Sequence, residues 1–439
     1  MWQRSDKIGR TGMRVNGQGT WSPPAVSEAG VDGSSSGPKS RMNNLRQLLP
    51  GRGEAVLGLG IGWMMIGMLV MPSGVSYNPG RLYQISLILL LYVPALYLLL
   101  RRHAEVWREL WSQPAFRVFL LLLAWATASL GWAQLQRPGD EFGRILSVAL
   151  FVLGCHLWAG ERPQRMRVLL TLVGWGMALC ALVYSVMFLR TTPSPDDSRI
   201  VGSGVIATAN YAAAAMGAAC VWLAQLPQRR RAGSIACLVA VASLLVFVAL
   251  TQSRSVWLAL ATCAVLTPLW QRRRATLAVA LGVFVLAVVA LAWRPEVLMD
   301  RGASHRPQIL VKALHMIALH PWVGLGQGTD FVIKVGGEHL THSHNVLTQA
   351  AIMLGLPGML LMMVMWGLVA WSGWRHRGAP LGRVVLGLWV YASVALQFDM
   401  PQLLDSPRPG WLLIWLPFAL ALGLEARDRA RREPPARVH

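Results

Sequence analysis

A chain of 439 residues that is 54% hydrophobic, only 14% charged and yet carries a net charge of +21 is too apolar for an ordinary soluble protein. Its basic residues are also too scattered for a nucleic-acid-binding one, since they form short clusters between apolar segments with no basic domain or base-stacking module. The five cysteines, Cys155, Cys180, Cys220, Cys237 and Cys263, are odd in number and all lie in apolar segments. They read as packing residues and not as a disulfide framework or zinc site.

Residues 1–52 are Gly-, Ser- and Pro-rich and basic, and predict a disordered cytoplasmic tail without the apolar stretch of a cleaved signal peptide. Twelve apolar segments follow, at 54–72, 82–100, 116–134, 143–160, 168–189, 204–226, 234–251, 255–270, 275–294, 346–371, 384–399 and 410–426. Windows such as Leu82 to Leu100 are long enough to cross a hydrocarbon core about 30 Å thick. The expected fold class is all-α, a polytopic membrane protein of about 12 transmembrane helices over residues 53–426. A large helical periplasmic loop, 295–345, separates helices nine and ten, and residues 427–439 form a basic cytoplasmic tail.

Cytoplasmic loops retain lysine and arginine. With both termini inside, 29 of the 41 basic residues fall in cytoplasmic segments and 12 outside. Arg229 to Arg231 and Arg272 to Arg274 lie directly after apolar segments, where the rule weighs most. The net charge is therefore mainly a signal of topology.

The interruption between Trp293 and Val346 is too long for an ordinary connection. It holds Arg306, His320, Gly324, Gly326 and Gly328, then Thr341-His342-Ser343-His344-Asn345. Pro307 suits the first turn of a helix running to about Leu319, with Ile309 or Leu310, Ala313, Leu314 and Ile317 on one face, resting on the membrane or on the bundle. Arg306 at its start is either a solvated loop residue or an anion ligand at a helix N-terminus. Arg254, in the tight turn Thr251-Gln252-Ser253-Arg254-Ser255, either snorkels to headgroups or clamps a phosphate through its planar fork. Arg190 and Arg199 are further outer-side cations, which Asp196 or Asp197 can pair.

His344 is the candidate for acid/base work. It stands where the loop gives way to a helix, beside Asn345 as the expected N-cap, and the positive helix end and nearby arginines disfavour the imidazolium form. A structural hydrogen-bonding histidine is the alternative. His342 also admits a metal-site reading, set aside because His-x-His without a nearby carboxylate or cysteine is incomplete for zinc.

The Thr-x-Ser-Arg-Ser turn, an arginine before an amphipathic helix, H-P-W-V-G-L-G-Q-G at 320–328 and S-H-N-V-L-T-Q-A-A-I-M-L-G-L-P-G at 343–358 together resemble the bacterial O-antigen ligase family. R-I-V-G-S-G-V-I-A-T-A-N-Y-A-A at 199–213 is similar to its Arg-x-x-Gly and Asn-x-x-Ala pattern, with Ala209 where many relatives carry proline before the asparagine. The resemblance implies a multi-pass enzyme of the bacterial inner membrane whose active site faces the periplasm. Such an enzyme moves polysaccharide from undecaprenyl pyrophosphate to a sugar hydroxyl of the lipid A core, inverting the anomeric centre without metal or other cofactor. Carried over by motif, Arg254, Arg306 and Arg199 bind the donor pyrophosphate and His344 is the base. Gln252, Asn210, His320, His342 and Asn345 support them. Membrane lipids are expected partners and nucleic acid is not. The related O-antigen polymerases and protein O-oligosaccharyltransferases use the same donor, and the motifs do not choose among the acceptors. A lipid-linked sugar transporter fits less well, because the spans carry few charges.

The orientation has a direct check. A cysteine introduced at Gly337 is expected to react with a membrane-impermeant thiol reagent added from the periplasmic side, and one at Gly233 to be spared; the reverse pattern overturns the topology.

Overall fold

The computed structural model describes residues 51–71, 80–160, 162–192, 198–228, 230–293 and 305–432. The expected N-terminal tail lies outside them but for its last two residues. So do Asp196, Asp197, Arg229, residues 294–304 and residues 433–439.

The described residues are 77% helical. The helices are α1 (Arg52–Val70), α2 (Arg81–Leu87), α3 (Val93–Trp111), α4 (Pro114–Ser129), α5 (Pro138–Ala159), α6 (Pro163–Thr191), α7 (Ala209–Gln225) and α8 (Arg231–Leu250), followed by α9 (Arg254–Leu266), α10 (Arg274–Trp293), α11 (Arg306–Leu319), α12 (Val346–Arg375), α13 (Pro380–Ala395) and α14 (Leu416–Arg432). A wider turn, Ile88–Tyr92, joins α2 to α3, and another, Trp411–Trp415, opens α14. Among the described residues, six helical stretches are long and apolar enough to cross a membrane, namely 53–70, 81–102, 138–159, 163–191, 231–250 and 346–375, and four more apolar helices are shorter. This is a multi-pass membrane protein. Every apolar segment of the sequence coincides with helix over most of its length, but three run past it: α4 ends at Ser129, not 134, α7 begins at Ala209 after a separate turn at Gly204–Ile206, and α13 ends at Ala395, not 399.

Burial divides the bundle. Residues 411–422 are buried throughout, whereas α10 presents Leu277, Leu281, Phe284 and Leu286 outward. An exposed apolar surface of that extent is a lipid-facing one. Lipid gives helices no hydrophobic drive to associate, so small residues that let backbones approach hold the interior together. α7 carries buried alanines at 212–215, 218 and 219, and a Cβ on Gly217 would come within 2.2 Å of the Tyr391 hydroxyl of α13. That hydroxyl donates to Ala214 O at 3.1 Å.

The long interruption is folded. α11 and a hairpin of β1 (Ile333–Val335) and β2 (Glu338–Leu340), paired antiparallel with Val335 opposite Glu338, enclose a small core with α12. Ile309, Ala313, Phe331, Ile333, Val335 and Ile352 are buried in it, with Met316 and Ile317 packed alongside. The inward face of α11 is therefore Ile309, Ala313, Met316 and Ile317. Leu310 and Leu314, offered by the spacing as inward positions, are instead 46% and 53% exposed. The hairpin was not read from the sequence.

α12 is broken, and the break docks the loop. Gly355 sits at φ 67°, ψ −178°, and Pro357 lies within the helix. Proline has no N–H, so Met353 O loses its helical donor and accepts from Gly326 N at 2.9 Å. Leu356 N donates to Pro321 O at 2.7 Å, and the Ile352 carbonyl it leaves accepts from Leu325 N at 2.8 Å. Trp125 Nε1 covers Leu354 O at 2.8 Å. The two most distinctive strings of the sequence, 320–328 and 343–358, are thus bonded to each other.

Gly355→Ala tests this. The φ, ψ pair is essentially restricted to glycine, and a Cβ would meet Trp322 O at 2.4 Å. Backbone strain alone costs roughly 1–3 kcal/mol, so a clear fall in the thermal unfolding midpoint of the detergent-purified protein is expected; an unchanged midpoint contradicts the docking role.

Candidate functional site

A cleft of about 730 Å³ opens beside the folded loop, at the ends of α5, α7 and α12 and along the chain between α13 and α14. The end of α12 is built first. Asn345 caps it, its Oδ1 accepting from Leu347 N at 2.9 Å and Thr348 N at 3.1 Å, while its Nδ2 donates to Gln397 Oε1 at 2.7 Å. Val346 N donates to Leu396 O at 3.0 Å. These bonds fix the 396–400 segment against the residues before α12. His344 takes a left-handed backbone, φ 55°, unusual for a non-glycine residue, and lies beside His342 with ring centroids 4.1 Å apart.

Asp399 joins the two sides. It is buried, and its Oδ1 lies 3.8 Å from His344 Nδ1, the spacing of an ion pair and longer than a direct hydrogen bond. Oδ1 also accepts from Met400 N at 2.8 Å, and Oδ2 from Asn210 Nδ2 at 2.8 Å. Burial alone would raise its pKa. His344, the Met400 N–H and Asn210 more than offset that and hold the carboxyl below its ordinary range. The sequence reading counted only cations around His344; a buried carboxylate stands there too.

Asn210 carries the network onward. Its Oδ1 accepts from Arg199 Nη2 at 2.9 Å and from Ser253 Oγ at 3.2 Å, and Arg199 Nε donates to Thr251 O at 2.8 Å. The turn before α9 is thereby tied to the start of α7. Arg306 Nη1 donates to Phe398 O at 2.7 Å, and its guanidinium lies 5.1 Å from the Phe398 ring centroid. Burial pushes the Arg306 pKa down, Asp399 pushes it up, and Arg254 lies close enough to push it down again. The guanidinium stays cationic.

Arg199, Asn210, His342 and His344 border the cleft. Arg254 and Arg306 are outside its lining, with Arg306 bonded to the 398–399 segment and Arg254 near Arg306. Gln252, at φ 51°, donates from Nε2 to Ser198 O at 3.3 Å and so supports the turn. His320 is exposed, ends α11 and takes no part.

A second network, unread from the sequence, lines the same cleft. Arg144 pairs with Glu141 and lies 3.8 Å from Asp405, and Arg408 pairs with Asp405 at 2.8 Å. Gln327 donates from Nε2 to Leu404 O at 3.0 Å and to Glu141 at 3.3 Å. Gly328, at φ 83°, leaves room for Glu141, which a Cβ would approach to 2.5 Å. Asp399 was legible in principle, as an acid at the end of an apolar span. Asp405 and Glu141 carried no comparable mark.

His342, His344 and Asp399 place their ligand atoms within 4.8 Å of one another. The absent carboxylate that set aside a metal reading is therefore supplied by the fold. Two histidines and a carboxylate match a known divalent-metal donor set. Against it, Asp399 already accepts from Met400 N and Asn210, and Arg306 is near enough to oppose a dication.

Residues 238–363 match the sequence profile of the family described as O-antigen ligase. That stretch is similar to an O-antigen ligase domain. The chain is also 28% identical to the O-antigen ligase of Pseudomonas aeruginosa (strain PAO1) over 389 residues, 84% of this chain and 93% of that protein. These similarities make it a membrane enzyme of the glycosyltransferase type. The O-antigen ligase profile covers Arg254, Arg306, His342, His344 and Asn345, while Arg199, Asn210 and Asp399 lie outside it.

His342 gives the site an acid dependence. Burial, with His344 second, lowers its pKa from 6.5 to about 4. Between those values the unfolded chain binds a proton that the folded chain does not, so this contribution to stability is complete above 6.5 and is lost as pH falls toward 4. Asp399 acts only below its ordinary 3.8, outside that window. His342→Gln is expected to flatten the thermal midpoint across pH 4 to 6.5 relative to wild type; an unaltered slope contradicts the buried, neutral assignment.

Proposed function

We propose that this protein transfers a polysaccharide from undecaprenyl pyrophosphate to a sugar hydroxyl of the lipid A core, at the periplasmic face of the inner membrane, with both termini cytoplasmic and about twelve spans. The observation that carries the reading is His344 set against buried Asp399 at a cleft, with Arg199, Arg254 and Arg306 held around the same carboxylate segment.

Nδ1 of His344 faces Asp399, which leaves Nε2 for the acceptor. As the acceptor oxygen bonds to the anomeric carbon, its proton passes to Nε2. The bond from that carbon to the pyrophosphate oxygen breaks and the electron pair leaves with the pyrophosphate. One displacement inverts the centre. Asp399 orients the imidazole and stabilises the imidazolium, the division of labour seen in catalytic triads. Charge accumulates on the leaving pyrophosphate, where arginines that are already positioned and permanently charged are most effective.

The carrier has a place beside them. α9 starts at Arg254, and farther along it Trp257, Leu260, Ala261 and Ala264 line a largely apolar groove of about 710 Å³ with parts of α7, α8 and α10. An isoprenoid chain suits that wall. The Glu141, Arg144, Asp405, Arg408 and Gln327 network supplies alternating acceptors and donors, the chemistry of sugar hydroxyls, and suits the acceptor.

One observation favours a second reading, the His342, His344 and Asp399 donor set, in which a metal activates the acceptor. Excess chelator separates the two. Purified protein with lipid-linked donor and core acceptor is expected to work in chelator; loss of transfer restored by zinc or another divalent ion supports the metal.

His344→Ala is expected to reduce transfer about 100- to 10,000-fold while donor binding persists. Arg254→Lys, which keeps charge but not the fork, should cost about ten- to a hundredfold. Near-normal turnover of His344→Ala removes the base from this mechanism. In cells, loss of the protein should leave core without attached polysaccharide and accumulate lipid-linked polymer; short chains still attached indicate a polymerase.

A further inference from the structure

The bundle end opposite the cleft holds a second polar cavity, of about 100 Å³, which the transfer reaction does not use. α5 sets the separation, because Glu141 borders the cleft from its first turn and His156 borders this cavity from its last. At 1.5 Å per residue these are about 22 Å apart along the axis. The cavity therefore belongs to the other membrane face.

Its wall is rich in buried donors. Glu54 accepts from Arg102 Nη2 and from Arg165 Nη1, each at 2.8 Å, so two guanidiniums already neutralise its charge. Arg165 is only 9% exposed, and its Nε and Nη2 have no partner among the described residues. His156, 5% exposed, faces Glu109 through Nε2 at 3.3 Å and leaves Nδ1 unpartnered. Arg162 and Arg102, both exposed, also line the cavity, so among the described residues its wall carries three arginines and two glutamates.

Buried donors on a permanent cation are costly to leave unmet. A phosphate meets them with several anionic oxygens and matches the planar fork of arginine. Basic pockets between transmembrane helices at a membrane surface take such groups from lipid, and this one is walled by residues of α1, α3, α5 and α6. We propose that this cavity binds the phosphate of an anionic lipid headgroup at the membrane face opposite the cleft, with Arg165 as its buried donor and Arg102 and Arg162 at its rim. The assignment is independent of the transfer mechanism.

Native mass spectrometry of the full chain, released from nanodiscs of equal phosphatidylglycerol and phosphatidylcholine, tests it. Wild type is expected to retain phosphatidylglycerol selectively, and both Arg165→Lys and the double variant Arg102→Gln, Arg162→Gln to retain at least fivefold less. The double variant leaves the Arg165–Glu54 pair intact, so it reads the site even where Arg165→Lys folds poorly. A parallel arm titrates inorganic phosphate against chloride at equal ionic strength and follows the thermal midpoint in detergent. A phosphate-specific rise that the double variant loses, without selective lipid retention, assigns the same site to free phosphate. Equal lipid retention by wild type and the double variant, with no phosphate-specific rise, overturns the proposal.

Discussion

A carbonyl released from a helix at the edge of a bilayer must find a donor in the protein, because lipid offers none. In α12 the proline at 357 and the strained glycine at 355 release two such carbonyls, and the backbone at 325 and 326 takes both. The long polar interruption acquires its structure through this exchange. With Gly326 fixed against α12, Gln327 reaches Glu141 and Leu404, and the core under α11 and the hairpin closes over Ile352. The histidine segment then enters α12 at one place only. Backbone satisfaction thus positions chemistry that the side chains alone could not have assembled.

Charge is arranged by a similar economy. Arg199, Arg254 and Arg306 belong to three separate stretches of chain, and cations brought together in a poorly solvated place repel. Asp399 is the counterweight. It holds Arg199 through Asn210, draws Arg306 electrostatically and faces His344. Because Met400 N and Asn210 satisfy its remaining lone pairs, it remains ionised despite burial. A cation cluster with one well-bonded carboxylate keeps a net attraction for an anion while leaving the imidazole an anionic neighbour.

Much of this was legible in the sequence. Apolar length located the helices, Asn345 announced its cap, and the glycine and histidine strings marked the loop that docks on α12. Arg199 and Asn210 were visible in one motif, and the bond that joins them was not foretold by it. What stayed hidden has physical causes. The face of α11 was ambiguous because Ile309 and Leu310 suit a helical stripe equally, and the choice is made by Phe331 and Ile333, residues distant in sequence. Asp399 escaped notice because it was counted as the last residue of an apolar span, although an acid there was a mark in itself. The second network joins residues of α5, the loop and the 404–408 segment, contacts that no local spacing encodes.

The disagreement between apolar pattern and helix boundary is itself informative at two places. The pattern extends across 204–226 and 384–399, but the helices start at Ala209 and stop at Ala395. Val205, Ile206 and Leu396 remain buried there, so these segments run through the protein interior in short turns, with Ile206 N bonded to Ser203 O and Gln397 N to Val394 O, each at 3.2 Å. Irregular backbone is tolerated at such depth only where it lines a cavity or is enclosed by protein. Here Asn210 and Asp399, the partners on either side of the cleft, sit at these two unwound ends. Stopping each helix early sets Asn210 on the wall of the cleft with buried Asp399 beside it. A carboxylate so enclosed meets little water, which strengthens each electrostatic contact around it.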